Sequence, residues 1–311
     1  MEEGLLVVFD YEEKYTERLT DYLNRRTNFG MEVRGFTRQD ALTDFCNEHK
    51  TELLLTVDDT VADGVRPGQI SHIILLSEGQ WVKDSCAYPV IYKFQSIEQV
   101  MKEVLAYVSE QSEEMNYPGL APKENTTQIY VVFAPEGGRV RTVYGIALAG
   151  SLAEHHETLY LNFDAFPGAL WQKDGTAGLS EMIYYLKQQR GNLMAKLLSM
   201  VNHSGNLEYL APVSHFRDLE EMGEEEYRFL FHTLREHSEY EAIVVEIGYF
   251  NGAALSALDL ADKICIPIAT AEDEENHALD AFKRMLVSEK KDYLLRRMEV
   301  ITSAAGSAGA G

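Results

Sequence analysis

Two blocks of alternating apolar and polar periods run along this chain. Apolar runs at 5–9, 31–36, 53–57, 73–76 and 90–94 read as buried strands. Between them, 12–26, 38–49 and 96–108 carry apolar residues at helical spacing. Ser96 stands where a side-chain oxygen can accept from the free N–H groups of a first helical turn. Five strands alternating with helices predict a parallel α/β sheet of flavodoxin-like type over 1–110. A second series of runs, at 129–133, 159–163, 207–211, 241–247 and 263–268, predicts another mostly parallel α/β domain over 128–302. Residues 111–127 between them are polar, contain two prolines and read as a linker. Residues 303–311 are only Ala, Gly and Ser, which cannot build a core, and are expected to be a disordered or appended tail.

Composition narrows the function classes. The 311 residues are enough for two domains, and 45% hydrophobic with 25% charged residues is ordinary for a globular chain. No apolar run approaches the roughly 18 residues of a membrane span. The first residues lack the basic start of a secretory signal, so a cytoplasmic protein is expected, polar or membrane-associated only through partners. A net charge of −22, shared by both halves, repels DNA and anionic lipid and argues against nucleic-acid binding. Cys46, Cys86 and Cys265 are isolated and read as buried thiols. His155 and His156 are adjacent and cannot share a helix face, so they read as helix-end residues. Acidic runs at 220–226 and 272–275 fall at predicted helix starts, where negative charge is favoured. Lys283, Arg284, Lys290, Lys291, Arg296 and Arg297 lie near apolar Phe282, Leu286, Leu294 and Leu295. They leave membrane docking by a C-terminal helix as an unfavoured option, because basic residues are common in final helices.

The candidate chemistry sits in the second block. Residues 129–142, IYVVFAPEGGRVRT, combine a β-branched run, a Gly-Gly turn and a helical pattern starting near Val143. That is the strand–loop–helix context of a phosphate-binding loop. The loop resembles the deviant Walker A of the ParA/MinD family, Lys-Gly-Gly-x-Gly-Lys-Thr. Gly137, Gly138 and Thr142 match it. Glu136 falls at its first lysine, Val140 at its third glycine and Arg141 at its P-loop lysine. LYLNFD at 159–164 resembles the family segment ending Asp-x-Asp, with Asn162 at the first aspartate and Asp164 at the second. YEAIVVEIG at 240–248 resembles its Walker B strand, with Glu246 in place of aspartate. GLSEMIYYLK at 178–187 and YLAPVSHFRDL at 209–219 resemble segments of the TadZ/CpaE branch, the pilus-localisation members of the family. The resemblance covers nearly all of 128–301.

The resemblance implies ATP and magnesium as cofactors. It marks Glu136, Gly137, Gly138, Arg139, Val140, Arg141, Thr142 and Val143 as nucleotide-binding positions. It marks Thr142, Asp164 and Glu246 as magnesium ligands if nucleotide binds, and Asp164 as the best candidate for a catalytic group. It also implies a homodimer joined across the nucleotide sites, and partners in a pilus secretion apparatus. The substitutions weigh against turnover. A positive φ at Val140 would strain a β-branched residue by roughly 1–3 kcal/mol. Arg141 keeps a charge but presents a bulkier planar fork than an ammonium. Glu136 places a carboxylate near a triphosphate, and Asn162 supplies no charge. Glu246 displaces its carboxylate by about one methylene, which matters for octahedral magnesium.

TadZ/CpaE proteins carry a receiver-like domain ahead of the ATPase domain, and 5–110 suits that place. A working receiver needs an acidic pair after its first strand, an aspartate ending the third, a hydroxyl ending the fourth and a lysine ending the fifth. Here the first strand offers Asp10 alone, followed by Tyr11, and either Val57 or Asp58 falls near the acceptor position. Ser77 and Lys93 match the hydroxyl and the lysine. Magnesium prefers several clustered oxygens, so a docking module without phosphorylation is expected. The whole reads as a weakly active or non-hydrolysing scaffold that positions a Flp/Tad-type pilus apparatus. The rivals are an ATP-hydrolysing polar localisation switch and a ParA-like partition protein on DNA.

Overall fold

Uninterrupted apolar runs become strands buried on both faces. The computed structural model describes residues 4–25, 31–79, 87–111, 127–167, 178–188, 192–268 and 273–302. It divides into two units, residues 1–121 with 190–199, and residues 122–189 with 200–311. Cys86, almost all of 111–127, and 303–311 lie outside the described residues.

The first unit runs β1 (Gly4–Phe9), α1 (Glu13–Arg25), β2 (Met31–Phe36), α2 (Gln39–Glu48), β3 (Thr51–Thr56), β4 (Ile70–Ser77), β5 (Val90–Tyr92) and α3 (Ile97–Glu110). Its sheet order is β2-β1-β3-β4-β5 and every pair is parallel, the flavodoxin-like arrangement. β1 and β3 are buried at all six positions, whereas edge strand β2 alternates, with Met31 and Val33 buried and Glu32 and Arg34 exposed. Ser96 Oγ accepts from the Gln99 N–H at 3.2 Å, the expected cap of α3. Only a short 3-10 turn, Val61–Gly64, links β3 to β4. Pro67 and Gly68 follow it after two residues and prevent a longer helix.

In the second half follow β6 (Gln128–Phe133), α4 (Arg139–Ala153), β7 (Thr158–Phe163), α5 (Leu179–Gln188), α6 (Leu193–Met200), β8 (Asn202–Ser204) and β9 (Leu207–Tyr209). Then come α7 (Phe216–Glu220), α8 (Glu224–His237), β10 (Ala242–Ile247), α9 (Ala254–Leu260), β11 (Lys263–Ile268), α10 (Asp273–Ser288) and β12 (Met298–Thr302). Most of α6 lies in the segment grouped with the first unit. The sheet order is β12-β11-β6-β10-β7-β9-β8, parallel throughout except for the β8–β9 hairpin. The mostly parallel α/β expectation holds for both units.

Three differences from the sequence reading have local causes. β8 and β12 are edge strands of three and five residues, too short or too polar to announce themselves. The run at 207–211 ends as a strand at Tyr209, and Ala211 instead bridges Gly178. A Cβ on Gly178 would stand 2.4 Å from the Ala211 carbonyl oxygen, so this approach requires glycine. The basic C-terminal segment is not one helix. α10 ends at Ser288, Lys290 takes a left-handed φ of 58°, and 292–297 form a 3-10 turn. Lys291 pairs with Asp259, and Arg297 donates to the carbonyls of Asp259 and Ala261 at 2.9 Å each.

Registered residues on adjacent parallel strands point to the same face. Glu246 registers with Asn162 and with Val132, and alternation places Tyr160 on the side of Asn162. That face packs against α4, whose Ala149 and Ala153 join Val132, Tyr160 and Val244 in one core cluster. The small residues of α4 let it lie close to the sheet.

Candidate functional site

The loop after β6 is a tight turn built on two glycines. The Gly137 N–H donates to the Ala134 carbonyl at 2.8 Å, and Gly137 and Gly138 take φ of 69° and 87°. Both need glycine, and nothing lies within 4 Å of a Cβ at either position. Gly138 is the N-cap of α4 and offers no side-chain cap to its first turn. The loop borders a cleft of about 300 Å³ lined by Glu136, Gly137, Gly138 and Arg139 on one side and by Pro267, Ile268 and Leu279 on another. Glu136, Arg139 and Val143 are exposed. Val140 does not carry the expected strain. It sits in the first turn of α4, and Lys290 is the only non-glycine with positive φ among the described residues.

Arg141 departs from the expected arrangement. It is buried, and its guanidinium turns away from the loop toward the sheet. Its Nε donates to Glu246 Oε1 at 2.9 Å, and a terminal nitrogen donates to Asp164 Oδ2. Thr142 Oγ1 donates to the same Glu246 oxygen at 2.5 Å, and the Tyr160 hydroxyl donates to Oε2. Glu246, 0% exposed, thus accepts from three donors and rests as a fully bonded carboxylate. Burial, followed by the charge of Glu246 and its hydrogen bond, pushes the Tyr160 hydroxyl far above the usual phenol range, so it stays a donor. Asp164 Oδ1 accepts from the Phe166 N–H at 3.1 Å. Asn162 is 4% exposed, and its Oδ1 finds no hydrogen-bond partner.

Two glycines make room for this cluster. A Cβ on Gly145 would meet Glu246 Oε2 at 3.2 Å, and one on Gly248 would meet Asp164 Cγ at 2.5 Å and Arg141 at 2.8 Å. Tyr160, Gly145 and Gly248 were not singled out in the sequence. The signal was period-two alternation, which places Tyr160 two residues before Asn162 and Gly248 two after Glu246.

The structure therefore brings Arg141, Thr142, Asp164 and Glu246 together and leaves Glu136, Arg139 and Val143 outside. These residues do not fit a magnesium ion. The carboxylate oxygens that would ligate it are bonded to Arg141, Thr142 and Tyr160. Among the described residues no group of three or more His, Cys, Asp or Glu is placed to hold a metal. At the loop itself Glu136 and Arg139 stand exposed with opposite charges, and Arg141 is engaged by Glu246 and Asp164.

Asp10, Ser77 and Lys93, matched to a receiver pattern in the sequence, gather at the carboxyl ends of the first sheet. Lys93, 2% exposed, pairs with buried Asp10 at 2.7 Å and with Glu78 at 2.8 Å, with Glu12 at 3.7 Å. Burial alone would lower its pKa, but the bonds to Asp10 and Glu78 more than offset this and hold it above the usual value. The Tyr15 ring lies beneath the ammonium, 4.8 Å from Nζ. Burial, then the charge of Asp10, pushes the Tyr15 hydroxyl up to about 12. The Ser77 carbonyl accepts from the Lys93 N–H at 2.8 Å, and Ser77 Oγ accepts from the Gly79 N–H at 3.0 Å. Asp58 bonds elsewhere. Its Oδ2 accepts from the Tyr11 hydroxyl at 2.7 Å, and its Oδ1 accepts from Thr60 Oγ1 at 2.7 Å and the Thr60 N–H at 2.9 Å. These bonds, Tyr11 first, lower its pKa.

No protein-family model matches the chain. No curated protein matches it either. Solved structures do. One is a ParA family ATPase from Chlorobium tepidum TLS, 17% identical, with 58% of this chain and 75% of that one covered and a TM-score of 0.48. Another is the septum site-determining protein MinD complexed with Mg-ADP from Pyrococcus horikoshii OT3, at 16% identity, 56% and 68% coverage and a TM-score of 0.42. A third is a plasmid partition protein from Borrelia burgdorferi B31 bound to AMPPNP, at 18%, 57% and 76%, with a TM-score of 0.39. No helix among the described residues is long and apolar enough to cross a membrane.

Proposed function

We propose that this chain is a non-hydrolysing ParA/MinD-like scaffold of the TadZ/CpaE kind, which positions a Flp/Tad-type pilus secretion apparatus. One observation carries the non-hydrolysing part: Arg141 bonds both Glu246 and Asp164. The carboxylates that would hold a metal or orient an attacking water are committed to a side chain. The pilus assignment rests on the segments at 178–187 and 209–219, and the first unit then serves as a docking module. Phosphate release under saturating ATP and Mg²⁺ tests the reading. It should stay at background, and turnover on the order of 1 s⁻¹ would overturn it in favour of a hydrolysing switch. Capture of this chain by the secretion ATPase or platform proteins of such an apparatus tests the partner.

The scaffold is proposed to act as a homodimer through the loop after β6. Arg141 is buried, so the exposed pair Glu136 and Arg139 is left to bond reciprocally across a two-fold axis. Such pairs set register more than affinity. Light scattering should show a dimer without nucleotide, weakened by Glu136→Arg and restored by adding Arg139→Glu. A monomer at tens of micromolar, with and without ATP, would remove this interface.

A further inference from the structure

A cluster of cations lies near the start of β6, the opposite end from the Gly-Gly turn. α9 ends at Leu260, and the last carbonyls of a helix have no partner within it. Two arginines supply the donors. One terminal nitrogen of Arg235, on α8, donates to the Leu260 carbonyl and to Asp262 Oδ2 at 2.9 Å each. One terminal nitrogen of Arg297, in the turn before β12, donates to the carbonyls of Asp259 and Ala261 at 2.9 Å each. The Ile129 N–H holds Asp262 in turn, donating to the same Oδ2 at 2.8 Å. Each arginine has thus committed one nitrogen and keeps three N–H donors, on Nε and the other terminal nitrogen. Among the described residues nothing accepts from them.

Both arginines line a cleft of about 160 Å³, together with His232, Asp259, Asp262 and Ile129. His232 and Arg235 are three residues apart on α8 and share a face. Anchoring by one nitrogen fixes the plane of each guanidinium before a ligand arrives. The charge here runs against that of the chain. Lys291 and the Tyr293 hydroxyl bond Asp259, so three cations meet two carboxylates in a chain of net charge −22. Capping α9 takes one nitrogen from each residue, which lysine could supply. Two planar forks with N–H groups to spare suit an oxyanion. A carboxylate has two oxygens and one charge, whereas a phosphate group has three oxygens and close to two charges, the match for two guanidiniums. The cleft is smaller than the roughly 300 Å³ at which pockets take larger organic ligands, which leaves out a nucleotide.

We propose that this cleft binds a single phosphate group, free or on a small phosphomonoester, between Arg235 and Arg297. The anion joins α8 to the turn before β12 and so fastens the C-terminal edge of the sheet. The site shares no residue with the cluster around Glu246 and does not depend on whether the chain hydrolyses ATP.

The test is calorimetric titration of the full chain with inorganic phosphate. The wild type should bind one phosphate per chain, and Arg297→Gln should weaken it about tenfold through lost charge-assisted hydrogen bonds. Arg296→Gln removes the same charge one residue away, outside the lining of the cleft, and should bind as the wild type does. Phosphate should also slow amide exchange over 292–302 in the wild type and not in Arg297→Gln. Glycerol 3-phosphate that competes with inorganic phosphate identifies a phosphomonoester as the ligand, and failure to compete identifies the free ion. If Arg297→Gln is unfolded by circular dichroism, Arg297→Lys, which can still donate to both carbonyls but has no fork, takes its place with the same expectation. No phosphate binding at tens of millimolar overturns the proposal. So does undiminished binding in the folded Arg297 variant, which would place the anion elsewhere, or an equal loss in Arg296→Gln, which would mean diffuse attraction. Acetate binding as tight as phosphate binding overturns the assignment to a phosphate group.

Discussion

Each unit gathers acidic side chains at the carboxyl ends of a parallel sheet and satisfies them with a basic side chain of its own, but the two do so differently. In the first, Lys93 extends from the end of β5 and meets Asp10 inside and Glu78 and Glu12 at the surface, where both acids are about half exposed or more, at 48% and 61%. In the second, Arg141 reaches from α4 down to the sheet and meets Glu246, which has no contact with water. The first has a buried ion pair, Lys93 with Asp10, and two half-exposed acids at its rim. The second centres on a fully buried carboxylate with three donors, and its other carboxylate, Asp164, is 17% exposed. The rim acids of the first cluster can refill with water when a partner is lost, whereas Glu246 cannot.

Stability measurements separate the two most sharply. Arg141→Ala should cost about 3–5 kcal/mol in urea unfolding, the usual effect of stranding a buried charge. Lys93→Ala should cost about 3 kcal/mol, the low end of that range, because Glu78 and Glu12 rehydrate and only Asp10 is left buried. An equal or larger loss at Lys93 would erase the distinction. Within the second site, Tyr160→Phe removes one donor from Glu246 and leaves Arg141 and Thr142 in place. It should cost about 1–3 kcal/mol, and a neutral outcome would mean that the carboxylate is not sealed.

High pH probes both units at once. Lys93, Tyr15 and Tyr160 all have folded pKa values raised above their ordinary ones. The stability linked to each is fully present below its unfolded value, about 10, and is lost as pH rises through its folded value. Tyr15, at about 12, sets a window of about pH 10 to 12 for its share. The melting temperature should fall across that window, and Tyr15→Phe should flatten part of the fall. An unchanged curve in Tyr15→Phe would remove Tyr15 from the account. The smallest effect is expected from beryllofluoride with Mg²⁺. Asp58 is bonded to Tyr11 and Thr60 and stands apart from the ion pair of Asp10 with Lys93. Amide resonances around Asp10, Asp58, Ser77 and Lys93 should barely move, and widespread shifts would restore a phosphorylation switch.

Much of the fold was legible because apolar runs report directly on parallel strands buried on both faces. Every predicted strand lies on an observed one, and the Ser96 cap follows from its side chain alone. The edge strands β8 and β12 escaped because an edge needs little apolar surface. The site residues were legible as positions: Arg141, Thr142, Asp164 and Glu246 could be named from the resemblance of their segments to the family's motifs. Their bonding was not. A long arginine can turn toward a loop or toward a sheet, and the choice depends on space left by Gly145 on its own helix, and on Gly248 and the Tyr160 hydroxyl, which come from other strands. Likewise Asp10, Ser77 and Lys93 could be placed at strand ends, but the capture of Asp58 by Tyr11 depends on how two loops meet.

The measurement that bears most directly on the central claim is the side-chain Nε–H resonance of Arg141, assigned by its loss in Arg141→Lys. With Nε bonded to Glu246 in a buried site, its hydrogen exchange should be slowed by orders of magnitude relative to an exposed arginine. That protection should disappear in Glu246→Gln and stay unchanged when ATP and Mg²⁺ are added. A fast-exchanging Nε–H in the wild type, or one that shifts and loses protection on addition of Mg²⁺ and ATP, would contradict the account, because Arg141 would then be free to leave the carboxylates.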